Sequence, residues 1–192
     1  KKLSDERGAC PDAEEYGFKE RFSNKTAIAP TASISIICGG ASPGVEPVAA
    51  NSYTHKTLSG SYNVRNRYLK KVLEKYGKND DETWSTITTN QGSVEHLDFL
   101  TKNEKDVFKT AFELDQKWIV ELGADRTPYI SQAQSINIFL PADVHKKELH
   151  QIHFQAWKKG LKSLYYCRSK SIQRAENVNN GLSTNVIKEE TK

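Results

Sequence analysis

The sequence predicts an α/β fold in which helices cover a sheet. In the second half of the 192-residue chain, helical and strand-like patterns alternate in the order helix, strand, helix, strand. Hydrophobic residues make up 36% and charged residues 27%, a balance typical of a globular chain with a buried core. Glycine or proline follows most of these segments, as expected where one element ends and the next begins.

Composition argues against several classes of protein. The net charge is +4 and no five like charges are adjacent, so no dedicated nucleic-acid patch is indicated. The longest apolar run, near Ile34–Cys38, is too short to cross a bilayer. The three cysteines are far apart, which favours a reducing cytoplasm over a disulfide scaffold. Because the sequence contains no methionine, we expect a fragment or processed piece of a longer protein.

Helical periodicity is clearest in the middle of the chain. Residues 67–76 predict a helix ended by Gly77, and residues 81–90 predict a second short helix. Residues 102–122 predict one long helix, which opens with a Thr101/Glu104 capping box and ends at Gly123.

Two strands and a further helix follow. Residues 135–140 predict a strand closed by Pro141, and residues 161–167 predict another. Between them we expect a helix from an Asp143 cap to Lys159, ended by Gly160. The polar residues beyond about 175 predict a flexible tail over 176–192.

Residues 30–47 concentrate small residues, hydroxyls, glycines and prolines. Periodicity does not decide whether residues 31–39 form a short helix or a strand. As a helix start, this segment would offer free backbone N–H groups to a phosphate, with hydroxyls from Thr31 and Ser33. The alternative is a buried turn rich in small residues, and the segment matches no general phosphate-loop pattern.

The adjacent Tyr165 and Tyr166 also allow two interpretations. Neighbours on a regular strand point to opposite faces, so one ring would be in the core and the other outside. A redox pair would instead require a break in strand geometry that brings the rings together. His145, His150 and His153 fit a half-exposed helix face better than a metal site, and Cys38 fits a small core residue.

Six ordered segments carry a more specific pattern. The first reads Ala-Pro-Thr-Ala-Ser-Ile-Ser, and together they cover residues 29–35, 39–47, 56–60, 125–129, 137–141 and 161–171. The chain resembles the large (catalytic) subunit of class I ribonucleotide reductases, in the bacterial and phage branch. The resemblance implies the C-terminal portion of a ten-stranded α/β barrel over residues 1–175.

The resemblance also implies a function, the reduction of ribonucleoside diphosphates to 2'-deoxyribonucleoside diphosphates by radical chemistry. Tyr165 and Tyr166 would transfer the radical, and the substrate diphosphate would bind at Pro30, Thr31, Ala32, Ser33 and Ile34. The implied partners are a small subunit with a di-iron or dimanganese centre, the missing N-terminal part of the large subunit, and thioredoxin or glutaredoxin. No cofactor, metal, membrane or direct nucleic-acid contact is implied for this chain.

The sequence departs from the family in its cysteines. It has no Asn-x-Cys-x-Glu stretch, which carries the family's thiyl-radical cysteine, and no cysteine pair after Cys167. The family's nucleotide-binding allosteric regions would also lie upstream. We therefore expect half an active site that is inactive alone. The alternative is a non-catalytic phosphate-binding or assembly module derived from the same fold.

Overall fold

The computed structural model describes residues 1–39, 42–57 and 60–169, and the predicted tail over 176–192 lies outside them. Within these ranges the helices are α1 Lys2–Arg7, α2 Pro11–Glu15, α3 Ala32–Ile37, α4 Arg67–Lys75, α5 Asp81–Thr89, α6 Lys102–Val107, α7 Gln116–Arg126 and α8 Lys146–Lys158, with 3-10 helices at Ala111–Glu113 and Thr127–Tyr129. The strands are β1 Ser52–Thr57, β2 Gly60–Arg65, β3 Ile138–Leu140 and β4 Cys167–Ser169.

The strands form two separate pairs. β1 and β2 make an antiparallel hairpin, whereas β3 and β4 run parallel, with Ile138 opposite Cys167. A further parallel bridge joins Ile28 to Gln134, just before β3. The segment from Gln134 to the end of β3 therefore has Ile28 on one side and β4 on the other.

Two hydrophobic clusters support these elements. One packs α4 and α5 against the loops that follow, through Leu69, Leu73, Trp84, Ile87, Val94, Leu97, Leu100 and Phe108. The other packs α7 and α8 against β3, through Ala111, Ile119, Val120, Ile136, Ile138, Phe139, Leu140, Ile152 and Ala156. Because all three β3 side chains are buried, both faces of this strand are covered, as is usual in α/β folds.

The two helices predicted over residues 67–76 and 81–90 are confirmed. The Asn66 side chain accepts a hydrogen bond from the Tyr68 N–H (2.9 Å) at the start of α4, and Gly77 follows that helix with φ of 64°. The Asp80 side chain accepts from the Thr83 N–H (2.7 Å) and starts α5.

The single helix predicted over residues 102–122 is wrong. The Thr101/Glu104 capping box is present, but a second capping box at Thr110 starts the 3-10 helix, and Asp115 caps α7. At each cap one helix has ended and a new one begins, so the apolar stripe does not continue along a single helix. Gly123 lies inside α7, where a Cβ would stand 2.6 Å from Cδ1 of Ile136, and its role is close packing.

The remaining differences concern strand ends, one cap and one cysteine. The strand predicted over residues 135–140 is shorter and forms β3, whereas the strand predicted over 161–167 is wrong except at Cys167, where β4 begins. The helix expected from an Asp143 cap is α8, which begins at Lys146 after a His145 cap whose Nδ1 accepts from the Lys147 N–H (3.1 Å). The hairpin β1–β2 and helices α1 and α2 were not predicted. Cys38, expected in the core, is exposed, because it ends the short exposed helix α3.

Candidate functional site

The predicted phosphate segment forms the start of a helix. Thr31 is the N-cap residue of α3, and the first helical bond runs from the Ser35 N–H to the Thr31 carbonyl (2.8 Å). The N–H groups of Ala32, Ser33 and Ile34 precede that bond and have no intrahelical acceptor. All three residues are exposed, as an anion site at this helix start would require.

The hydroxyls of Thr31 and Ser33 are not equivalent. The Thr31 hydroxyl donates to the Pro43 carbonyl (3.0 Å), and the Thr31 N–H donates to the same oxygen (3.2 Å). A hydroxyl has one proton, so in this arrangement Thr31 cannot also donate to a phosphate. Ser33 is exposed, and its hydroxyl is left to serve as the side-chain donor.

A tight turn over residues 42–46 adjoins this segment. The Ser42 hydroxyl donates to the Glu46 carbonyl (2.6 Å), and the Glu46 side chain turns inward, leaving the residue only 5% exposed. Its carboxylate accepts a hydrogen bond from the backbone N–H of Asn137, immediately before β3. The buried Oδ1 of Asn137 has no partner among the described residues.

Tyr165 and Tyr166 lie side by side at the entry to β4. The Tyr165 N–H donates to the Ile136 carbonyl (2.8 Å), and the Ile138 N–H donates to the Tyr166 carbonyl (2.9 Å). Residues 163–166 are nevertheless outside regular strand, so the two side chains do not alternate. The ring centroids are 4.1 Å apart with planes at 49°, and the Tyr165 hydroxyl makes a long hydrogen bond to the Tyr166 hydroxyl (3.4 Å). The ring contact that a redox pair requires is therefore present.

The pair is half-exposed, with Tyr165 at 45% and Tyr166 at 53%. The hydrogen bond to Tyr166, together with partial burial, raises the pKa of the Tyr165 phenol, while the positive charge of Arg168 opposes that rise. Arg168 also lies over the Tyr166 ring, 5.3 Å from its centroid. Tyr165 is therefore a protonated phenol at neutral pH.

The three histidines near α8 have separate roles. His145 caps the helix, His150 stacks on Phe154 with centroids 5.9 Å apart, and His153 Nδ1 contacts the Leu149 carbonyl (2.8 Å). Across the described ranges, no three His, Cys, Asp or Glu side chains come together as a metal site would require. In the same ranges no helix has the length and apolar character needed to span a membrane.

The contact between Glu46 and Asn137 was missed from the sequence. Its signal was a lone carboxylate in the Gly-Val-Glu-Pro turn, where small and apolar residues surround it. An acid in such a stretch is costly to bury unless it has a hydrogen-bonding role.

The chain has clear relatives among known proteins. Residues 5–167 match the family model of the ribonucleotide reductase barrel domain. The ribonucleoside-diphosphate reductase large subunit of Invertebrate iridescent virus 6 is 50% identical over 185 residues, covering 94% of this chain and 19% of that protein. The corresponding large subunit of Caenorhabditis elegans is 37% identical, covering 73% of this chain and 18% of that protein.

A solved structure gives the same result. The alpha subunit of the Actinobacillus ureae class Id ribonucleotide reductase superposes with a TM-score of 0.76 at 36% identity, covering 91% of this chain and 31% of that one. The chain thus spans between 18% and 31% of the length of these relatives. Because these relatives come from very different organisms, they do not test whether the chain belongs to a bacterial and phage branch of the family. That assignment stays a prediction. The chain belongs to the ribonucleotide reductase family, as part of its barrel domain.

Proposed function

We propose that this chain is the part of a ribonucleoside-diphosphate reductase large subunit that binds the substrate diphosphate and transfers a radical. The reaction is the reduction of a ribonucleoside diphosphate to its 2'-deoxy form. The observation that carries the proposal is the ring contact between Tyr165 and Tyr166, with their hydroxyls hydrogen-bonded outside regular strand geometry.

This contact suits the transfer of a hydrogen atom between the two phenols. When one ring is a phenoxyl radical, the other O–H bond breaks and its proton and electron move together to the radical oxygen. One tyrosine is oxidised, the other is reduced, and no charged intermediate forms. The raised pKa of Tyr165 keeps the required proton on the phenol.

The start of α3 supplies the complementary part of the site. Three unpaired N–H groups and the Ser33 hydroxyl can converge on a diphosphate, while Pro30 begins the segment without an N–H of its own. These donors hold the substrate, and the thiyl-radical cysteine would come from elsewhere in the large subunit.

The other partners follow from this role. A small subunit with a di-iron or dimanganese centre would generate the oxidising equivalent, and thioredoxin or glutaredoxin would restore the reduced enzyme. This chain itself would bind no metal.

The test uses the complete large subunit containing this chain, assayed with its small subunit. Tyr165→Phe and Tyr166→Phe each keep the ring and remove the O–H. We expect both variants to bind substrate and small subunit normally and to lose deoxynucleotide formation almost completely. Normal turnover in either variant would show that the O–H of that tyrosine is not needed for radical transfer and that the pair is structural.

A further inference from the structure

We propose that Glu46 is a positioning residue that holds the diphosphate-binding segment and the tyrosine pair in a fixed relation across the strand between them. This inference rests on the proposed function of those two segments. It assigns a role to a buried side chain whose described hydrogen bond is to the Asn137 N–H and not to either phenol.

The first step is the place that Glu46 occupies on the strand. Parallel pairing with Ile28 uses the Ala133 carbonyl and the Ser135 N–H. The next donor in such a ladder would be the N–H of residue 30, but Pro30 has none. The pairing stops there, and the following N–H on the same edge, that of Asn137, donates instead to the Glu46 carboxylate. A side chain has replaced a backbone partner.

The opposite edge of the same strand holds the tyrosines. The Ile136 carbonyl and the Ile138 N–H flank Asn137 and bond to the backbones of Tyr165 and Tyr166. Successive backbone groups of an extended strand point to alternate edges. Glu46 and the tyrosine pair therefore form hydrogen bonds to residues 136–138 from opposite edges. A displacement of Asn137 would therefore move the backbone of both tyrosines.

The other end of the connection is the turn over residues 42–46. The Pro43 carbonyl receives both the N–H and the hydroxyl of Thr31, and the Ser42 hydroxyl closes the turn onto Glu46. Hydrogen bonds and this short turn thus link the cap of α3 to the segment that enters β3, whose other edge is hydrogen-bonded to the tyrosines.

The properties of Glu46 favour a dedicated role over turn stability alone. It is 5% exposed, and none of the described Lys or Arg side chains forms an ion pair with it. An uncompensated buried carboxylate is costly, whereas an N–H bond to a charged acceptor is stronger than one to a neutral acceptor. A carboxylate at this place favours a strong, directed contact with Asn137.

Gly44 offers an independent way to disturb the contact. A Cβ at Gly44 would overlap Oε2 of Glu46 and stand 3.3 Å from its Cδ. The φ angle of Gly44 is outside the left-handed region, so alanine is acceptable to the backbone there. Gly44→Ala should therefore displace the carboxylate without removing it.

The experiment compares Glu46→Ala, Glu46→Gln and Gly44→Ala in the complete large subunit with its small subunit. A 3-fluorotyrosine at position 166 reports the environment of that ring by 19F NMR. Asn51→Ala is the matched control, because Asn51 is buried and hydrogen-bonded in the α4 and α5 region, away from β3.

We expect Glu46→Ala and Gly44→Ala to weaken diphosphate binding and lower kcat together, each by about tenfold to a hundredfold, and to shift the 19F resonance. Glu46→Gln keeps a carbonyl acceptor for Asn137 and should recover most of both losses. Asn51→Ala should lower the melting temperature but leave Kd, kcat per folded molecule and the 19F resonance unchanged.

A Glu46→Ala enzyme that loses only thermal stability, with an unshifted 19F resonance, would overturn the proposal. So would a Glu46→Gln enzyme as defective as Glu46→Ala. Ser33→Ala and Tyr165→Phe, measured alongside, test the proposed function separately. If they behave as that function requires while Glu46→Ala matches the wild type, only the positioning role fails.

Discussion

We expect Ser33 to contribute to diphosphate binding and Thr31 to maintain the conformation of the diphosphate-binding segment. Ser33→Ala removes an exposed hydroxyl at the second residue of α3, where alanine is at least as good a helix former as serine. Stability should therefore not fall. Losing one hydrogen bond to a charged phosphate costs about 1.5–3 kcal/mol, which predicts a Kd higher by about tenfold to a hundredfold.

Thr31→Val should show the opposite pattern. It removes the bond from the hydroxyl to the Pro43 carbonyl and leaves the backbone bond to the same oxygen, costing about 0.5–1.5 kcal/mol of unfolding free energy. Its effect on binding is indirect and should stay below about tenfold. Thr31→Ser restores the hydroxyl and should restore stability.

Titration calorimetry with a ribonucleoside diphosphate, and denaturant unfolding of the same preparations, measure the two effects separately in the complete large subunit. The unphosphorylated nucleoside is the control ligand, because it makes none of these contacts. If Thr31→Val weakens diphosphate binding as much as Ser33→Ala and leaves stability unchanged, the division of roles is refuted.

Three further predictions concern stability and association. The Asn51 side chain donates to the Gly92 and Phe108 carbonyls (2.9 and 2.7 Å), so Asn51→Ala should lower the free energy of unfolding by about 2–5 kcal/mol; a loss below about 1 kcal/mol in denaturant unfolding would contradict this. Hydrogen bonds from Thr101 lower the pKa of Glu104 below its ordinary 4.5, so its contribution to stability should be complete above that pH and lost as pH falls through the folded value. Melting temperatures of wild type and Glu104→Gln should then converge in acid, and a constant difference would refute the assignment. The isolated chain exposes several large apolar side chains and should associate unless co-expressed with the rest of the large subunit; a dispersed monomer in sedimentation would count against this.

Local sequence signals predicted those elements whose ends are fixed by their own residues. The helices at residues 67–76 and 81–90 depend on the Asn66 and Asp80 caps and on Gly77, all within one turn of the helix ends. The prediction of one long helix is wrong at Thr110 and Asp115, because a hydroxyl or carboxylate in a helical pattern can cap a new helix as readily as face solvent. Tertiary packing decides between these outcomes.

The candidate site could be predicted only in part from the sequence, for the same reason. A helix start at Thr31 could be proposed from composition, but the bond from its hydroxyl to Pro43 depends on how the turn over residues 42–46 folds back. Likewise, the adjacent tyrosines could be a pair only if the strand broke before them. That break involves hydrogen bonds to Ile136 and Ile138, some 28 residues earlier in the chain, which no local pattern encodes.

Pro30 lies where the shortened strand meets the proposed site. Without an N–H, it cannot extend the parallel pairing that Ile28 begins, and the strand predicted from residue 135 is regular only from Ile138. The interruption lets the chain leave the strand edge at the point where α3 must start, and it frees the Asn137 N–H for Glu46. The shortened strand, the exposed helix start and the buried carboxylate thus all adjoin the point where the pairing stops at Pro30. A residue with an N–H at position 30 could extend the ladder only by drawing Thr31 and its donors back towards the sheet.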